Sequence, residues 1–256
     1  MQYSLDKITT SQKAVFLAYD QGLEHGPADF SDENIDPTQI LEIAAKAQLN
    51  AVVFQRGIAE KYYAGSIYVG KVPLIVKLNG KTSYIKNEPY APQICTVDEA
   101  ISFGAVAVGY TVYVGSQRQD LMFKEFTQIE KDAHAKGMPV IMWSYPRGSV
   151  VDENDPKTIA YAARVALELG ADMVKLKYTG DIKTFSWVVK SAGRTKVIMS
   201  GGPKTDTPEE FYEQVKGVMA SGATGVAVGR NVWQADNPVQ VADRVREIVF
   251  GEITRI

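Results

Sequence analysis

Eight short apolar runs, each followed by a segment with a helical pattern, most strongly constrain how this chain can fold. The runs are rich in β-branched residues and almost continuously apolar, which is typical of parallel strands covered on the outside by helices. They span residues 14–20, 50–55, 73–78, 105–113, 138–145, 171–178, 196–200 and 224–230. We therefore predict an α/β fold in which residues 1–256 form a single (β/α)₈ TIM barrel domain. A doubly wound open sheet is the alternative.

Glycine precedes several of these runs and supports the same division of the chain. The segments "FGAVAV", "KGMPVI", "LGADMV" and "SGATGV" each place a glycine between a helical pattern and the next strand. A glycine there is expected to end the helix in a left-handed conformation. The length of 256 residues also suits one barrel of this kind.

Charge and composition exclude several classes of function. The net charge of −2 gives no reason to expect nucleic acid or an anionic membrane as a partner. No apolar run approaches the roughly 20 residues that span a bilayer, and the N-terminus lacks a signal-peptide core. Cys95 is the only cysteine, and His25 and His134 are the only histidines, so we predict neither an internal disulfide nor a metal site. We expect a cytoplasmic enzyme or binding protein.

Two lysines stand in the sixth apolar run, "DMVKLKYTGD". Lys175 and Lys177 are two residues apart, so they share one face of a strand and are expected to point into the barrel near its mouth. Burial and a neighbouring cation both lower the pKa of a lysine, which yields a neutral amine able to form a Schiff base with a carbonyl. The alternative is that one or both lysines pair with carboxylates at the strand end.

The fifth run ends in "WSYPRG", which adds aromatic and basic side chains at the same end of the barrel. Trp143 and Tyr145 share a face of the strand. A phenol at a barrel mouth can transfer protons if a nearby cation lowers its pKa from about 10, and simple packing is an open alternative. Arg147 follows in the loop and could hold a phosphate or carboxylate.

The first run supplies an acid in "AYDQGLEHGP". Asp20 is expected to orient hydroxyl groups or to stabilise a lysine ammonium. His25 lies beyond it in a glycine-rich loop, where we expect a loop or substrate-contact role and not a catalytic one.

The seventh and eighth runs are followed by "SGGPKT" and "VGRNVW". In a TIM barrel these two loops form the common phosphate site, because glycine lets backbone N–H groups face an anion. Tight turns alone are the alternative. The predicted ligands are Ser200, Gly201, Gly202, Lys204, Gly229 and Arg230.

With these residues in place, the chain resembles the archaeal-type class I fructose-1,6-bisphosphate aldolases of the DeoC/FbaB superfamily. The resemblance covers nearly the whole chain and is carried by "AYDQGLEHGPADF", "VVFQRGIAEKYY", "VKLNGKT", "WSYPRG", "VKLKYTGD", "MSGGPKT" and "AVGRNVW". Gln21 departs from it, since many relatives have histidine after the aspartate. This departure leaves Asp20 in place.

The resemblance implies a reversible cleavage of fructose 1,6-bisphosphate to dihydroxyacetone phosphate and glyceraldehyde 3-phosphate, in glycolysis and gluconeogenesis, without metal or cofactor. It implies that Lys175 is the Schiff-base lysine, with Lys177 as the cation beside it, and that Tyr145 transfers protons. It also implies that Asp20, Trp143 and Arg147 line the site, while the loops after the seventh and eighth strands hold the 1-phosphate. Relatives form rings or double rings, so a homo-oligomer is expected.

Two other functions remain open at this point. A related lysine aldolase or transaldolase, such as 2-amino-3,7-dideoxy-D-threo-hept-6-ulosonate synthase, would share the lysine and the phosphate loops. The segments "FQRGIAEKYY" and "IMWSYPRG" favour the bisphosphate aldolase. The second is a non-catalytic barrel that binds a sugar phosphate, and the joint presence of Lys175, Tyr145 and Asp20 argues against it.

Overall fold

A computed structural model describes residues 4–251 as a closed barrel of eight parallel strands in sequence order, with β8 pairing back onto β1. The predicted (β/α)₈ barrel is confirmed, and the alternative of an open sheet is wrong. The strands are β1 Ala14–Ala18, β2 Ala51–Gln55, β3 Leu74–Lys77, β4 Ala105–Val114, β5 Val140–Pro146, β6 Met173–Lys177, β7 Lys196–Ser200 and β8 Gly225–Val228.

Helical segments follow every strand and surround the barrel. The α-helices are α1 Gly22–His25, α2 Pro37–Lys46, α3 Arg56–Ile58, α4 Val97–Ser102, α5 Gln119–Ala135, α6 Pro156–Glu168, α7 Ile182–Ser191, α8 Pro208–Ala220, α9 Arg230–Trp233 and α10 Pro238–Phe250. A 3₁₀ turn, Gly26–Asp29, extends α1, and a π-helical turn, Ala59–Tyr63, extends α3. Within residues 4–251 no helix is long and apolar enough to cross a membrane.

Helix ends are fixed by short-range sequence signals. Four helices begin with a polar N-cap followed by proline, whose fixed φ suits the first helical position. The N-cap residues of these helices are Asp36, Asp155, Thr207 and Asn237. At the other end, the four glycines predicted to stop helices all have positive φ, at Gly104, Gly137, Gly170 and Gly222. Helix boundaries were therefore readable from the sequence.

The alternation of side chains along the strands divides the core into two layers. In β1, Val15 and Leu17 pack outward against the helices, whereas Phe16 belongs to the layer inside the barrel. In β6, Met173 lies in the inner layer, so Lys175 two residues later faces the barrel interior as predicted. The inner layer thus ends, at the carboxyl ends of the strands, in polar residues.

The inner layer leaves no room for a side chain at Gly109 in β4. A Cβ atom built there would lie 1.8 Å from Cζ3 of Trp143, so the indole occupies the space that a side chain would need. Trp143 is 2% exposed. Glycine at this position is therefore what allows the indole to lie flat across the barrel interior.

We predict that Gly109→Ala destabilises the protein, because the added methyl group must displace the Trp143 ring. Overpacking of this kind costs about 1–3 kcal/mol in the free energy of unfolding. Gly57→Ala is the matched control, since a Cβ atom at Gly57 meets nothing within 4 Å. Urea denaturation measures both variants. Equal stability of Gly109→Ala and Gly57→Ala would contradict the packing described here.

Candidate active site

The carboxyl ends of the strands surround a cavity of ≈ 390 Å³. Eleven of the twelve residues predicted for the site line it: Asp20, Trp143, Tyr145, Arg147, Lys175, Lys177, Ser200, Gly201, Gly202, Gly229 and Arg230. They reach one cavity because parallel strands all end on the same face of a barrel. His25, which was expected in a loop or substrate-contact role, also lines it.

A buried ion pair lies at the bottom of this cavity. Nζ of Lys77, at the end of β3, is 3.3 Å from Oδ2 of Asp20, and both side chains are 8% exposed. Sequence reasoning missed Lys77, although the signal was the same as for Lys175, a lysine in an otherwise apolar strand. Burial alone would raise the pKa of Asp20, but the ammonium groups of Lys175 and Lys77 outweigh burial and lower it. Asp20 is therefore a carboxylate.

Lys175 is buried between this ion pair and the indole of Trp143. Its Nζ lies 5.1 Å from the centre of the Trp143 ring, and the residue is 6% exposed. Burial lowers the pKa of Lys175, and the charge of Asp20 opposes this effect only in part. A lysine in this setting yields a neutral amine more readily than one at the surface.

Lys177 lies nearer the mouth of the barrel than Lys175. It faces the same cavity as Lys175 but lies at the exposed end of β6, where its ammonium donates a hydrogen bond to Oδ1 of Asn154. The strand ends at this residue, so its side chain reaches water at the mouth. The buried cation that pairs with Asp20 comes instead from Lys77.

The lowered pKa that would suit proton transfer is not found at Tyr145. Burial, followed by the charge of Asp20, raises the pKa of Tyr145 to about 12, and the opposing effects of Lys77, Ser200 and Arg147 are smaller. Nearby cations are present, as predicted, but desolvation of the phenolate dominates. Tyr145 is therefore protonated at neutral pH before the reaction begins.

The loops after β7 and β8 approach one another closely. A Cβ atom at Gly201 would lie 3.2 Å from Cα of Val228, and one at Gly229 would lie 3.1 Å from the carbonyl oxygen of Ala18. These glycines are thus required for the close approach. Arg230 follows, with its guanidinium 3.5 Å from the Asp29 carboxylate.

Asn231, which sequence reasoning also missed, ties these two loops together. Its Nδ2 donates hydrogen bonds to the carbonyl oxygens of Gly201 and Pro203 at 3.1 and 2.9 Å, and its Oδ1 accepts one from the backbone N–H of Thr205 at 2.9 Å. Asn231 is 7% exposed. The position directly after Arg230 in "VGRNVW" was the available signal.

Lys204 is the one predicted residue that does not line the cavity. Its ammonium donates a hydrogen bond to the backbone carbonyl of Gln234 at 2.8 Å. The turn after Pro203 directs the side chain toward the end of α9 and away from the strand ends. The structure therefore does not support the expected ligand role for Lys204.

Arg147 forms part of a charged rim. It lies 3.1 Å from Glu24 and 3.4 Å from Glu153, and its guanidinium packs 5.7 Å from the centre of the Tyr145 ring. Lys81 also lies near Glu24, at 3.6 Å. A ligand that binds Arg147 must therefore compete with two carboxylates.

Together these groups provide a nucleophilic amine, a carboxylate, a protonated phenol and an anion-binding pair of loops in one cavity. Such a set suits covalent chemistry on a phosphorylated carbonyl compound. Within residues 4–251 no group of three or more histidine, cysteine, aspartate or glutamate residues is placed to hold a metal ion.

Comparison with known proteins agrees with this set. The fructose-bisphosphate aldolase class 1 of Thermoproteus tenax is 56% identical over 242 residues, which are 93% of this chain and 90% of that protein. The enzyme of the same name from Halobacterium salinarum is 45% identical over 96% of this chain and 93% of its own. A solved archaeal fructose-1,6-bisphosphate aldolase, with its catalytic lysine bound to the carbinolamine intermediate, has 53% identity and a TM-score of 0.91, covering 96% of this chain and 97% of its own. Residues 14–235 also match the DeoC/LacD family aldolase model, and the chain belongs to that family.

Proposed function

We propose that this protein is a Schiff-base aldolase that reversibly cleaves fructose 1,6-bisphosphate to dihydroxyacetone phosphate and glyceraldehyde 3-phosphate. The observation that carries the proposal is the buried amine of Lys175 in β6, whose pKa is lowered by burial. The activity of the relatives in Thermoproteus tenax and Halobacterium salinarum supports the choice of substrate.

The reaction begins with the neutral amine of Lys175. Its lone pair attacks C2 of the open-chain ketose and forms a carbinolamine. Loss of the C2 hydroxyl as water then gives an iminium. The iminium accepts the electron pair of the C3–C4 bond, and this is why the cleavage proceeds at neutral pH.

The raised pKa of Tyr145 assigns it the role of an acid first and a base second. Its phenol donates a proton to the departing C2 hydroxyl, and the resulting phenolate is stabilised by the new iminium charge. The phenolate then removes the proton of the C4 hydroxyl as the C3–C4 bond breaks and glyceraldehyde 3-phosphate leaves. Tyr145 returns this proton to C3 of the enamine, which restores the iminium and the phenolate. Water then adds to C2, its proton restores the phenol of Tyr145, and the carbinolamine breaks down to dihydroxyacetone phosphate and the free amine of Lys175. A pKa of about 12 for Tyr145 before the reaction begins is compatible with this cycle, because the phenolate exists only beside the iminium.

The loops after β7 and β8 are proposed to hold the phosphate on C1. Gly201, Gly202, Gly229 and Arg230 line the cavity beside the strand that carries Lys175. The N–H of Gly201 itself donates to the carbonyl oxygen of Ala227 at 3.0 Å, so the backbone N–H groups after Gly201, together with Arg230, would bind the phosphate. This would fix C2 next to the amine. Arg147, at the opposite rim, and Asp20, at the bottom, would contact other oxygen atoms of the substrate.

We further propose that the protein forms a homo-oligomer. Tyr161 on α6 and Trp187 on α7 are 65% and 64% exposed, which leaves large apolar side chains on the outer helices.

Sugar bisphosphates are metabolites of the cell interior, and this supports a cytoplasmic location and a role in glycolysis or gluconeogenesis.

The first prediction is that dihydroxyacetone phosphate and borohydride attach a stable adduct to Lys175. Lys175→Ala should abolish the adduct and the cleavage of fructose 1,6-bisphosphate, because the nucleophile is gone. Lys177→Ala is the matched control and should still be labelled at Lys175, since its exposed ammonium is not the nucleophile. Peptide mapping by mass spectrometry locates the adduct, and circular dichroism checks folding.

The outcomes of this experiment separate the proposed function from its alternatives. An adduct at Lys177 would overturn the assignment of the nucleophile. Labelling without cleavage of fructose 1,6-bisphosphate would favour another lysine aldolase on the same barrel. Absence of any adduct in the unaltered protein would favour a barrel that only binds sugar phosphates.

The second prediction concerns Tyr145→Phe, which removes the hydroxyl and keeps the ring. Turnover should fall by about 10²–10⁴-fold, as expected for loss of a positioned acid-base group. The adduct should still form at Lys175, but more slowly, because Tyr145 assists the loss of the C2 hydroxyl. Steady-state kinetics and the time course of labelling measure the two effects. Near-normal turnover would transfer the role to Asp20 or a bound water molecule.

The third prediction is that Arg230→Ala raises KM much more than it lowers kcat. The phosphate contact exists before and during the reaction alike, so its loss weakens binding uniformly. Removing a charge-assisted hydrogen bond should raise KM by about 10- to 150-fold. Lys204→Ala is the matched control, because Lys204 lies on the same pair of loops but outside the cavity. A larger effect of Lys204→Ala than of Arg230→Ala would contradict this placement of the phosphate.

A further inference from the structure

One acidic and two basic side chains lie at the bottom of the cavity. Asp20 supplies one carboxylate, whereas Lys77 and Lys175 supply two amines, and the three residues are only 6%, 7% and 6% exposed. A buried charge costs several kcal/mol unless it is paired, so one carboxylate supports one ammonium. The distances show which lysine is paired with the carboxylate of Asp20.

Asp20 forms its ion pair with Lys77. Its Nζ lies 3.3 Å from Oδ2 of Asp20, across the barrel mouth from β3 to β1. Lys175 packs against an indole, with its Nζ 5.1 Å from the centre of the Trp143 ring, and it forms no ion pair among residues 4–251, although the charges of Lys175 and Asp20 still act on one another. The lysine proposed as the nucleophile is therefore the one without a directly bound counterion in the described part of the chain.

We infer that Lys77 is a positioning residue for the proposed reaction: by holding the carboxylate of Asp20, it denies Lys175 a directly bound counterion and so favours the uncharged, nucleophilic form of Lys175. The inference rests on the proposed function and deepens it. Lys77 acts through Asp20. This role differs from the one expected for Lys177, which was a cation beside Lys175 on the same strand.

The other charged groups that line the cavity leave this assignment intact. The phenol of Tyr145 on β5 is neutral, and the Lys177 ammonium on β6 is exposed and bonded to Asn154. The Arg147 guanidinium after β5 is held by Glu24 and Glu153. His25 and Arg230 both lie against Asp29 at the mouth. Lys77 is thus the cation that competes with Lys175 for Asp20.

The sign of the effect follows from the charges. Without the Lys77 ammonium, the Asp20 carboxylate pairs with Lys175, and a carboxylate at close range favours the ammonium form. The pKa of Lys175 then rises, so less free amine is present at neutral pH. Attack on a carbonyl requires the amine, so the acid limb of Schiff-base formation moves to higher pH.

The test is the rate of covalent labelling by dihydroxyacetone phosphate and cyanoborohydride as a function of pH, followed by intact-protein mass spectrometry. Lys77→Met removes the charge and keeps the length of the side chain. An opposite charge at close range shifts a pKa by about 1–3 units, so the midpoint should rise by at least about one pH unit. Labelling below the midpoint should fall about tenfold or more, while the rates converge at high pH. Lys77→Arg keeps a cation and should shift the midpoint less.

Lys71→Met is the matched control. It also removes one lysine charge, but Lys71 is exposed and precedes β3 at the opposite end of the barrel. Its midpoint should equal that of the unaltered protein. An unchanged midpoint in folded Lys77→Met, or an equal shift in Lys71→Met, would overturn the inference. Failure of the unaltered protein to be labelled at any pH would instead overturn the proposed function.

A double variant tests whether Lys77 acts through Asp20, and Lys77→Gln, which keeps a hydrogen-bond donor for Asp20, replaces Lys77→Met if that variant does not fold. Asp20→Asn removes the carboxylate, so adding Lys77→Met leaves no unpaired buried charge behind. In this background the second change should shift the midpoint by no more than a few tenths of a pH unit. A shift of about one unit there would mean that Lys77 acts on Lys175 directly, and the role through Asp20 would be wrong.

Discussion

The site depends on one carboxylate, Asp20, which is only 6% exposed at the bottom of the cavity. An unpaired carboxylate there would be unstable by several kcal/mol, and its pairing with Lys77 removes most of that penalty. The two residues belong to β1 and β3, which lie on either side of β2. Gln55 at the end of β2 bridges the gap, because its Nε2 donates hydrogen bonds to the backbone carbonyls of Asp20 and Asn79 at 3.3 and 3.2 Å.

The same cavity holds Lys175 in a different electrostatic setting from Lys77. An indole face stabilises a cation far less than a carboxylate does, so Trp143 supports Lys175 without fixing its charge. The indole takes this position because β4 has glycine at residue 109. A backbone choice on one strand therefore determines the surroundings of a nucleophile two strands away. This dependence links the packing of the barrel to the chemistry of its mouth.

The sequence was sufficient for the fold and for most of the site. Strand periodicity and glycine helix stops predicted the eight repeats, and the carboxyl ends of the strands indicated where polar residues would meet. Lys77 has the same signal as Lys175, a lysine in an apolar strand, but its role depends on a partner 57 positions earlier in the chain, Asp20, to which no local pattern points. The contact of Lys204 and the pKa of Tyr145 could not be predicted for related reasons. A turn sets the direction of the Lys204 side chain, and burial raises the pKa of Tyr145. Periodicity reports which face a residue occupies, whereas these properties depend on distances across the barrel.

The hydrogen bonds of Asn231 have a consequence for ligand affinity. They hold the chain after β7 in a single conformation through the side chain of a residue that follows β8, before any anion is present. A glycine-rich loop without such a tether would lose conformational entropy when it closed around a phosphate, and the loss would weaken binding. In this barrel that entropy is already lost when the protein folds. The stability of the fold and the strength with which the loops hold an anion are thus coupled through one buried amide.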